Sequence, residues 1–404
     1  MQQPAFFRRL FALLFASSMT GICLAAEVSP AVREYRLHMF DPPISTLANR
    51  SSELMFDTRT VAASKNPRRL PVAPRTLDFQ YEAGGARHLA SEFAERTFTD
   101  ALLIMKDGRI VHEQYLNRTT DRTRFMSYSM AKSFNSIMAG VAIAEGRITS
   151  VDDPISKYMP ELQGTAYDGL SLKHLLWMRT GARWNDNFFT PGPSRDAHVA
   201  AFVESRQRYV TAALGIKERA GPPGVAFNYN SVEAAMVGEI VTRAVGMPLS
   251  QYLSEKIWKP AGMESDAFYV LDGPPSVGRE FTAGGFNATL RDYGRVGQMM
   301  LDRGQVKGRQ LVPASWVDES TKPGPGRASA EDGTGYAYLW WTIDGMRAYT
   351  MLGGEGQFVF VDPESRTVII KLSHIPVGPA GDPAMAETFA FLKAASAWRP
   401  ANRP

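Results

Sequence analysis

The placement of its strand-forming segments most limits how this chain can fold. They crowd toward the two ends and leave a helical middle. Ala101-Leu102-Leu103-Ile104-Met105 has the character of a buried strand and runs into Lys106-Asp107-Gly108-Arg109. Asp-Gly accepts the positive φ that a tight hairpin demands, so Ile110 to Tyr115 is expected to return antiparallel. Far along the chain, Gln357 to Val361 and Thr367 to Ser373 bracket Asp362-Pro363-Glu364-Ser365, a second hairpin by the same logic. Tyr336 to Ile343 and Met346 to Met351 supply two more strands. In between, Phe134, Ile137, Met138 and Val141 repeat at helical spacing after Ser129, with Gly146 as the stop. Leu172 to Met178, Ser231 to Val245, Leu249 to Trp258 and Asp292 to Arg303 also read as helices, the last closed by Gly304. A short amphipathic helix is expected over His88 to Arg96. Strands, then helices, then strands predicts an α+β fold. One antiparallel sheet is built from both chain ends and flanked by helices, with an inserted, mostly helical lobe.

The domain reading follows. Residues 93–150 and 281–395 form the α/β lobe, and 151–280 the helical lobe. Residues 27–92 form an extended arm packed on the body, irregular to about residue 76 because of Pro42-Pro43, Pro67, Pro71 and Pro74. Residues 1–26 have the make-up of a secretory signal: Arg8-Arg9, an apolar stretch opening at Leu10 to Phe15, and Ala25-Ala26 as a cleavage site. Ser17, Ser18, Thr20 and Gly21 break the apolar run, which argues against a retained anchor. No later segment resembles a membrane span. Cleavage there would remove Cys23, the only cysteine, along with Arg8 and Arg9. The mature chain would then have no thiol for catalysis or metal binding, would suit a periplasmic or secreted setting, and would carry a formal charge of about +2 instead of +4. No basic stripe with interleaved aromatics is present, so nucleic acid is not an expected partner.

Ser129-Met130-Ala131-Lys132 is the sharpest chemical signal. At the start of a helix, Ser and Lys three apart share one face, so the amine can reach the hydroxyl. A serine hydroxyl is a weak nucleophile and needs such a base. Lysine serves when burial depresses its pKa. The helix N-terminus also favours negative charge developing near Ser129. Standing alone, the motif reads equally as a helix with a Ser near its cap. Phe227-Asn228-Tyr229-Asn230-Ser231 follows the turn-rich Gly221-Pro222-Pro223-Gly224 and holds a tyrosine just before a helix. Near cations, that hydroxyl could be partly ionised and shuttle protons; the plain reading is a packing tyrosine. Leu352-Gly353-Gly354-Glu355-Gly356-Gln357 leads into the last hairpin. Glycines there allow close approach of a substrate to the backbone, and one N–H could complete an oxyanion hole with that of Ser129.

In this order and at these separations, the three elements resemble the serine beta-lactamase and penicillin-binding-protein superfamily, nearest the class C-like esterases and the 6-aminohexanoate-dimer hydrolase group. The likeness runs from about residue 100 to 375. It includes Asp107-Gly108-Arg109-Ile110-Val111, Glu145-Gly146-Arg147-Ile148, Tyr158-Met159-Pro160-Glu161-Leu162, Leu175 to Gly181 and Leu290-Arg291-Asp292-Tyr293-Gly294-Arg295. The resemblance implies that Ser129 is acylated, Lys132 takes its proton and Tyr229 relays protons. It also implies that the N–H groups of Ser129 and Gly354 form the oxyanion hole, with Gly353 and Ser231 beside the substrate.

One departure matters. Where that superfamily usually carries Lys-Thr-Gly or His-Thr-Gly, this chain has Met351, Leu352 and Gly353. Without that cation, a free carboxylate is poorly recognised, which favours small esters or amides over a beta-lactam or peptide end. Trp177, Trp184, Phe188 and Phe189 are candidates for an apolar acyl pocket, or equally for core packing. His174, inside an apolar helix, reads as structural. The histidines are scattered without metal spacing and no Gly-x-Ser-x-Gly elbow occurs, so neither a metal nor another cofactor is expected. The expected function is an exported serine hydrolase acting on a small-molecule ester or amide. The rivals are a D,D-peptidase or weak beta-lactamase, a non-catalytic binding protein on the same scaffold, and an interaction module built on the arm. Oligomeric state is not legible in the sequence.

Overall fold

The computed structural model describes residues 28–325, 327–329 and 333–400; the expected signal at 1–26 lies outside them. The fold is α+β. Eight antiparallel strands form the main sheet, in the order Arg327–Ser329, Thr334–Tyr336, Trp341–Ile343, Tyr349–Gly353, Gln357–Asp362, Thr367–Ser373, Thr99–Lys106 and Arg109–Tyr115. The two chain ends meet where Thr367–Ser373 pairs with Thr99–Lys106, setting Ile369 opposite Ile104. The Asp-Gly hairpin forms as expected, with Asp107 at φ 48° and Gly108 at φ 75°.

The uninterrupted apolar run at 101–105 has a physical reason: both faces of this sheet are covered. Leu103 and Met105 join Val359, Val368 and Ile370 on one face, where the Leu290–Leu301 helix packs. A Cβ at Gly297 of that helix would come within 2.5 Å of Val368, so glycine lets helix and sheet close up. Leu102 and Ile104 join Phe358, Phe360 and Ile369 on the other face, beneath Phe391 of the Asp382–Ala397 helix. Phe391 stacks on Phe93 at 3.6 Å.

Several segments differ from the sequence reading. The arm is irregular from residue 62 to 79, as expected, but not before that. Ser29 caps a Pro30–Leu37 helix, and Thr58–Val61 is a strand paired with Ala267–Asp272 in a second sheet that continues through Phe286–Thr289 to Arg124–Met126. Pro42 and Pro43 lie between that helix and the Thr58–Val61 strand, Pro67, Pro71 and Pro74 follow the strand, and buried Arg36 ties the arm to itself at Met55 O and to the body at Phe202 O. His88 to Arg96 is not one helix. Gly84 and Gly85 turn a hairpin of Gln80–Ala83 with Ala86–Leu89, and only Phe93–Arg96 is α-helical. Tyr336 to Ile343 is two strands. Leu339 adopts φ 59° and donates its N–H to Leu176 O, so the apolar Tyr338-Leu339-Trp340 is a buried turn. The last of the expected strands begins at Tyr349, not Met346.

The helices are placed as expected, with adjusted ends: Met130–Ala144, Leu172–Leu176, Ser231–Val245 and Leu290–Leu301. Leu249 to Trp258 splits into an α-helix to Leu253 and a wider π-turn from Ser254. The Met130–Ala144 helix is the central one. It is buried nearly throughout and packs on the Ser231–Val245 helix and on the Tyr349–Gly353 strand. That packing brings the ends of three elements together. No helix among the described residues is long and apolar enough to cross a membrane.

Candidate active site

Ser129 is the N-cap of the central helix, and the strand Arg124–Met126 leads straight to it. One turn on, Lys132 projects from the same face. Its Nζ lies 2.9 Å from Ser129 Oγ and donates to Ala283 O at 2.8 Å. Lys132 is 2% exposed, and desolvation lowers its pKa to about 8, against the opposing pull of Asp186. A substantial neutral fraction is therefore present near neutral pH, as a proton acceptor requires.

Tyr229 ends the loop before the Ser231–Val245 helix. Asn230 fixes the loop by capping that helix, its side chain accepting from the N–H groups of Val232 at 2.9 Å and Glu233 at 3.3 Å. Lys132 Nζ lies 5.0 Å from the centroid of the Tyr229 ring. Burial raises the Tyr229 pKa well above that of a free phenol, and the neighbouring Ser129 hydroxyl lowers it only in part. Where the sequence suggested partial ionisation, one cation nearby and the upward shift favour the neutral phenol, which can pass a proton on.

The third wall is the end of the Tyr349–Gly353 strand. A Cβ at Gly353 would come 2.1 Å from Ser127 O, so only glycine allows this strand so close to the segment before the nucleophile. Ser129, Tyr229, Gly353 and Gly354 line one cavity of about 320 Å³, together with Phe40, Phe189, Trp341 and Leu352. Two acidic residues, Glu355 and Asp382, belong to this lining, and no Lys, Arg or His does. Met351 is buried in the core, so no cation stands where the last motif strand could have supplied one.

Other expected contacts are placed differently. Trp177 does not reach the cavity: it packs 5.6 Å from Tyr338 with Lys173 Nζ 4.8 Å above it. Trp184 lines a separate cavity of about 1020 Å³ that Ser129, Lys132 and Tyr229 do not border. Ser231 spends its hydroxyl on Asp186, donating at 2.6 Å, while its N–H donates to the same carboxylate at 3.0 Å and Trp184 Nε1 donates at 2.9 Å. Ser231 and Trp184 therefore hold Asp186, and Asp186 sets the field at Lys132 and Tyr229. Phe189 lines the catalytic cavity, and Phe188 stacks on His198 behind it at 4.9 Å. His174 Nδ1 accepts from the N–H of Ser171 as part of a capping box, the structural place expected of it.

Sequence reasoning missed Asp186, Phe40 and Trp341. Asp186 had a signal, since a carboxylate two residues after a candidate Trp is available to neighbouring N–H groups. Phe40 comes from the arm and had none. Among the described residues, no cluster of three His, Cys, Asp or Glu side chains could hold a metal.

The family model described as Beta-lactamase matches residues 86–391. The 6-aminohexanoate-dimer hydrolase of Paenarthrobacter ureafaciens is 29% identical over 299 residues, covering 70% of this chain and 74% of that protein. A putative D-alanyl-D-alanine carboxypeptidase of Escherichia coli K12 is 23% identical over 332 residues, covering 69% of this chain and 74% of that protein. Among solved structures, a putative 6-aminohexanoate-dimer hydrolase from Bacillus anthracis superposes with a TM-score of 0.78 at 23% identity, covering 88% of this chain and 95% of that one. At this identity the likeness speaks to the fold alone.

Proposed function

Because the chain belongs to the Beta-lactamase family and is a hydrolase of that fold, we propose that it cleaves small ester or amide bonds through an acyl-enzyme on Ser129. The observation that carries this reading is the 2.9 Å approach of a desolvated Lys132 amine to the Ser129 hydroxyl. Neutral Lys132 takes the Oγ proton as Oγ bonds to the substrate carbonyl. The N–H groups of Ser129 and Gly354 receive the oxyanion, helped by the N-terminal end of the central helix. Collapse breaks the carbonyl–oxygen or carbonyl–nitrogen bond. Tyr229 gives its proton to the leaving group and is reprotonated by the Lys132 ammonium. Water then enters in place of the leaving group and attacks the acyl carbonyl, passing a proton through Tyr229 to Lys132; collapse breaks the acyl–Oγ bond, the Lys132 ammonium returns the proton to Oγ, and the acid is released.

The lining bears on the substrate. Phe40, Phe189, Trp341 and Leu352 favour an uncharged, apolar acyl portion, and Asp382, in a lining without Lys, Arg or His, disfavours an anionic one. This weighs against cell-wall peptide ends and beta-lactams. The kinship with a 6-aminohexanoate-dimer hydrolase makes short linear amides the first to try beside esters. We also place the enzyme outside the inner membrane, on the strength of Arg8-Arg9 and the apolar stretch that follows.

Intact-mass spectrometry after a fluorophosphonate probe, with p-nitrophenyl acetate and butyrate turnover, tests the reading. One adduct on the wild type, none on Ser129→Ala, and parallel loss of turnover are expected. A folded wild type with neither adduct nor turnover would leave the binding-scaffold reading in its place.

A further inference from the structure

Two residues flank the oxyanion-binding backbone, and both hold an unusual conformation. Tyr128 precedes Ser129 at φ 44°, and Glu355 follows Gly354 at φ 59°. Non-glycine residues in the left-handed region need their surroundings to keep them there. Here both are tied to the same side chain. The Tyr128 hydroxyl donates to Asn49 Oδ1, and Asn49 Nδ2 donates to Glu355 Oε2. Asn49 Nδ2 also reaches Ser373 O at 3.2 Å, and the Asn49 backbone carbonyl accepts from Met126 N at 2.7 Å. Asn49 is 2% exposed and lies on the arm, just past the Ser45–Ala48 helical turn.

The rest of the loop is fastened to the same strand. Ser373 Oγ donates to Glu355 O at 2.7 Å, and Gln357 Nε2 donates to Ser373 O at 2.6 Å. The Tyr128 ring lies against Gly354, where a Cβ would meet it at 3.6 Å. The two oxyanion donors thus belong to segments with separate origins in the chain, and a single carboxamide spans them.

We propose that Asn49 is a positioning residue for hydrolysis: its carboxamide clamps Tyr128 and Glu355 so that the N–H groups of Ser129 and Gly354 converge on one point. The proposal rests on the acyl-enzyme reading above. It gives the arm a part in catalysis without contact with substrate. It also accounts for an acidic side chain in an apolar loop. Glu355 Oε1 is buried without a partner, and desolvation raises the carboxyl to about 8, so at neutral pH the acid is uncharged and serves Asn49 as a plain acceptor. The groups facing it are Asn49, Tyr128, and Asp100 with its partner His374, whose Nδ1 is 3.0 Å from Asp100 Oδ2. Ionisation of Glu355 would set a negative charge beside the oxyanion.

The test uses the full chain and p-nitrophenyl butyrate, with kcat and KM measured from pH 6 to 10. Asn49→Ala is expected to lower kcat on the order of tenfold to a hundredfold, less than outright removal of an oxyanion donor, with KM little changed. Tyr128→Phe should lose less, and the pair should lose no more than Asn49→Ala alone, because both cut one clamp. Glu355→Ala should fall with Asn49→Ala. Glu355→Gln should recover most of that loss and keep gaining activity above pH 8, where the wild type turns down.

Unchanged kcat in a folded Asn49→Ala variant would overturn the proposal, as would a loss confined to thermal stability. If Asn49→Ala does not fold, Tyr128→Phe decides, and wild-type kcat in it sinks the clamp. A wild type that fails to label at Ser129 would remove the parent reading, and the clamp with it.

Discussion

Among the described residues three lysines are buried, Lys106, Lys132 and Lys371; the two most deeply buried lie in different regions, and only one of them can do chemistry. Lys132, at the head of the central helix, has a pKa lowered to about 8; Lys371, in the middle of the main sheet, has one lowered to about 7. Desolvation is the main cause in both. Lys371 is wholly buried, donates to Thr97 O at 3.0 Å and lies 6.0 Å from the Phe93 ring centroid. It has no hydroxyl to activate and lines neither of the two cavities described above. Lys132 has Ser129 at 2.9 Å, a neutral tyrosine beside it and a cavity in front. A depressed lysine pKa therefore marks a site only together with a nucleophile and access. By itself it marks the cost of burying a cation.

Substitution by methionine separates the two. Lys132→Met should reduce kcat/KM on the order of 10⁴-fold, the upper range for loss of a positioned base, and abolish fluorophosphonate labelling at Ser129. Lys371→Met should leave kcat/KM intact and raise the thermal midpoint at pH 7. The sign follows from linkage. Between the folded pKa near 7 and an unfolded value of about 10.4, the unfolded chain binds more protons, so wild-type stability climbs with pH across that window. The advantage of Lys371→Met should be largest at pH 7 or below and shrink toward pH 10. An equal loss of activity in both variants, or a lower midpoint for Lys371→Met at pH 7, would erase the distinction.

The same contrast explains what could be read in the sequence. Ser129 and Lys132 were legible because a helix places residues three apart on one face, a local rule that tertiary context does not alter. The hairpin at Asp107-Gly108 was legible for an equally local reason. The main sheet could be assembled because the apolar runs at 101–105, 357–361 and 367–373 have to lie where both faces are covered. Lys371 sits in the last of these runs, and nothing local says that its charge is lost there. Where strand character and turn character shared an apolar stretch, as in Tyr338-Leu339-Trp340, pattern alone could not find the bend, because it depends on Leu339 docking on Leu176. Asn49 and Phe40 were illegible for a further reason: both act across a long sequence separation. Asn49 meets Glu355 306 positions away.

The finest test of the comparison concerns what distinguishes the field at the two lysines. Asp186 raises the Lys132 pKa, while Asp100 does the same for Lys371. If neutral Lys132 is the working base, kcat/KM measured in the Glu355→Gln background, which lacks the downturn, should climb with pH and level off above about 8, the value set by burial and Asp186 together. Asp186→Asn can keep its oxygen as acceptor for the Ser231 and Trp184 N–H groups, with its amide NH2 donating to the Ser231 hydroxyl, but removes the negative charge, so less holds the proton on Lys132. The rising limb should then move to lower pH, with the plateau rate nearly unchanged and relative activity at pH 6 increased. A limb that stays in place would mean that Asp186 only shapes the loop around Ser231 and Trp184. A limb that moves to higher pH would mean that the amine gains a proton where burial should deny it one, and Lys132 would lose its claim to differ from Lys371 in anything but its neighbours.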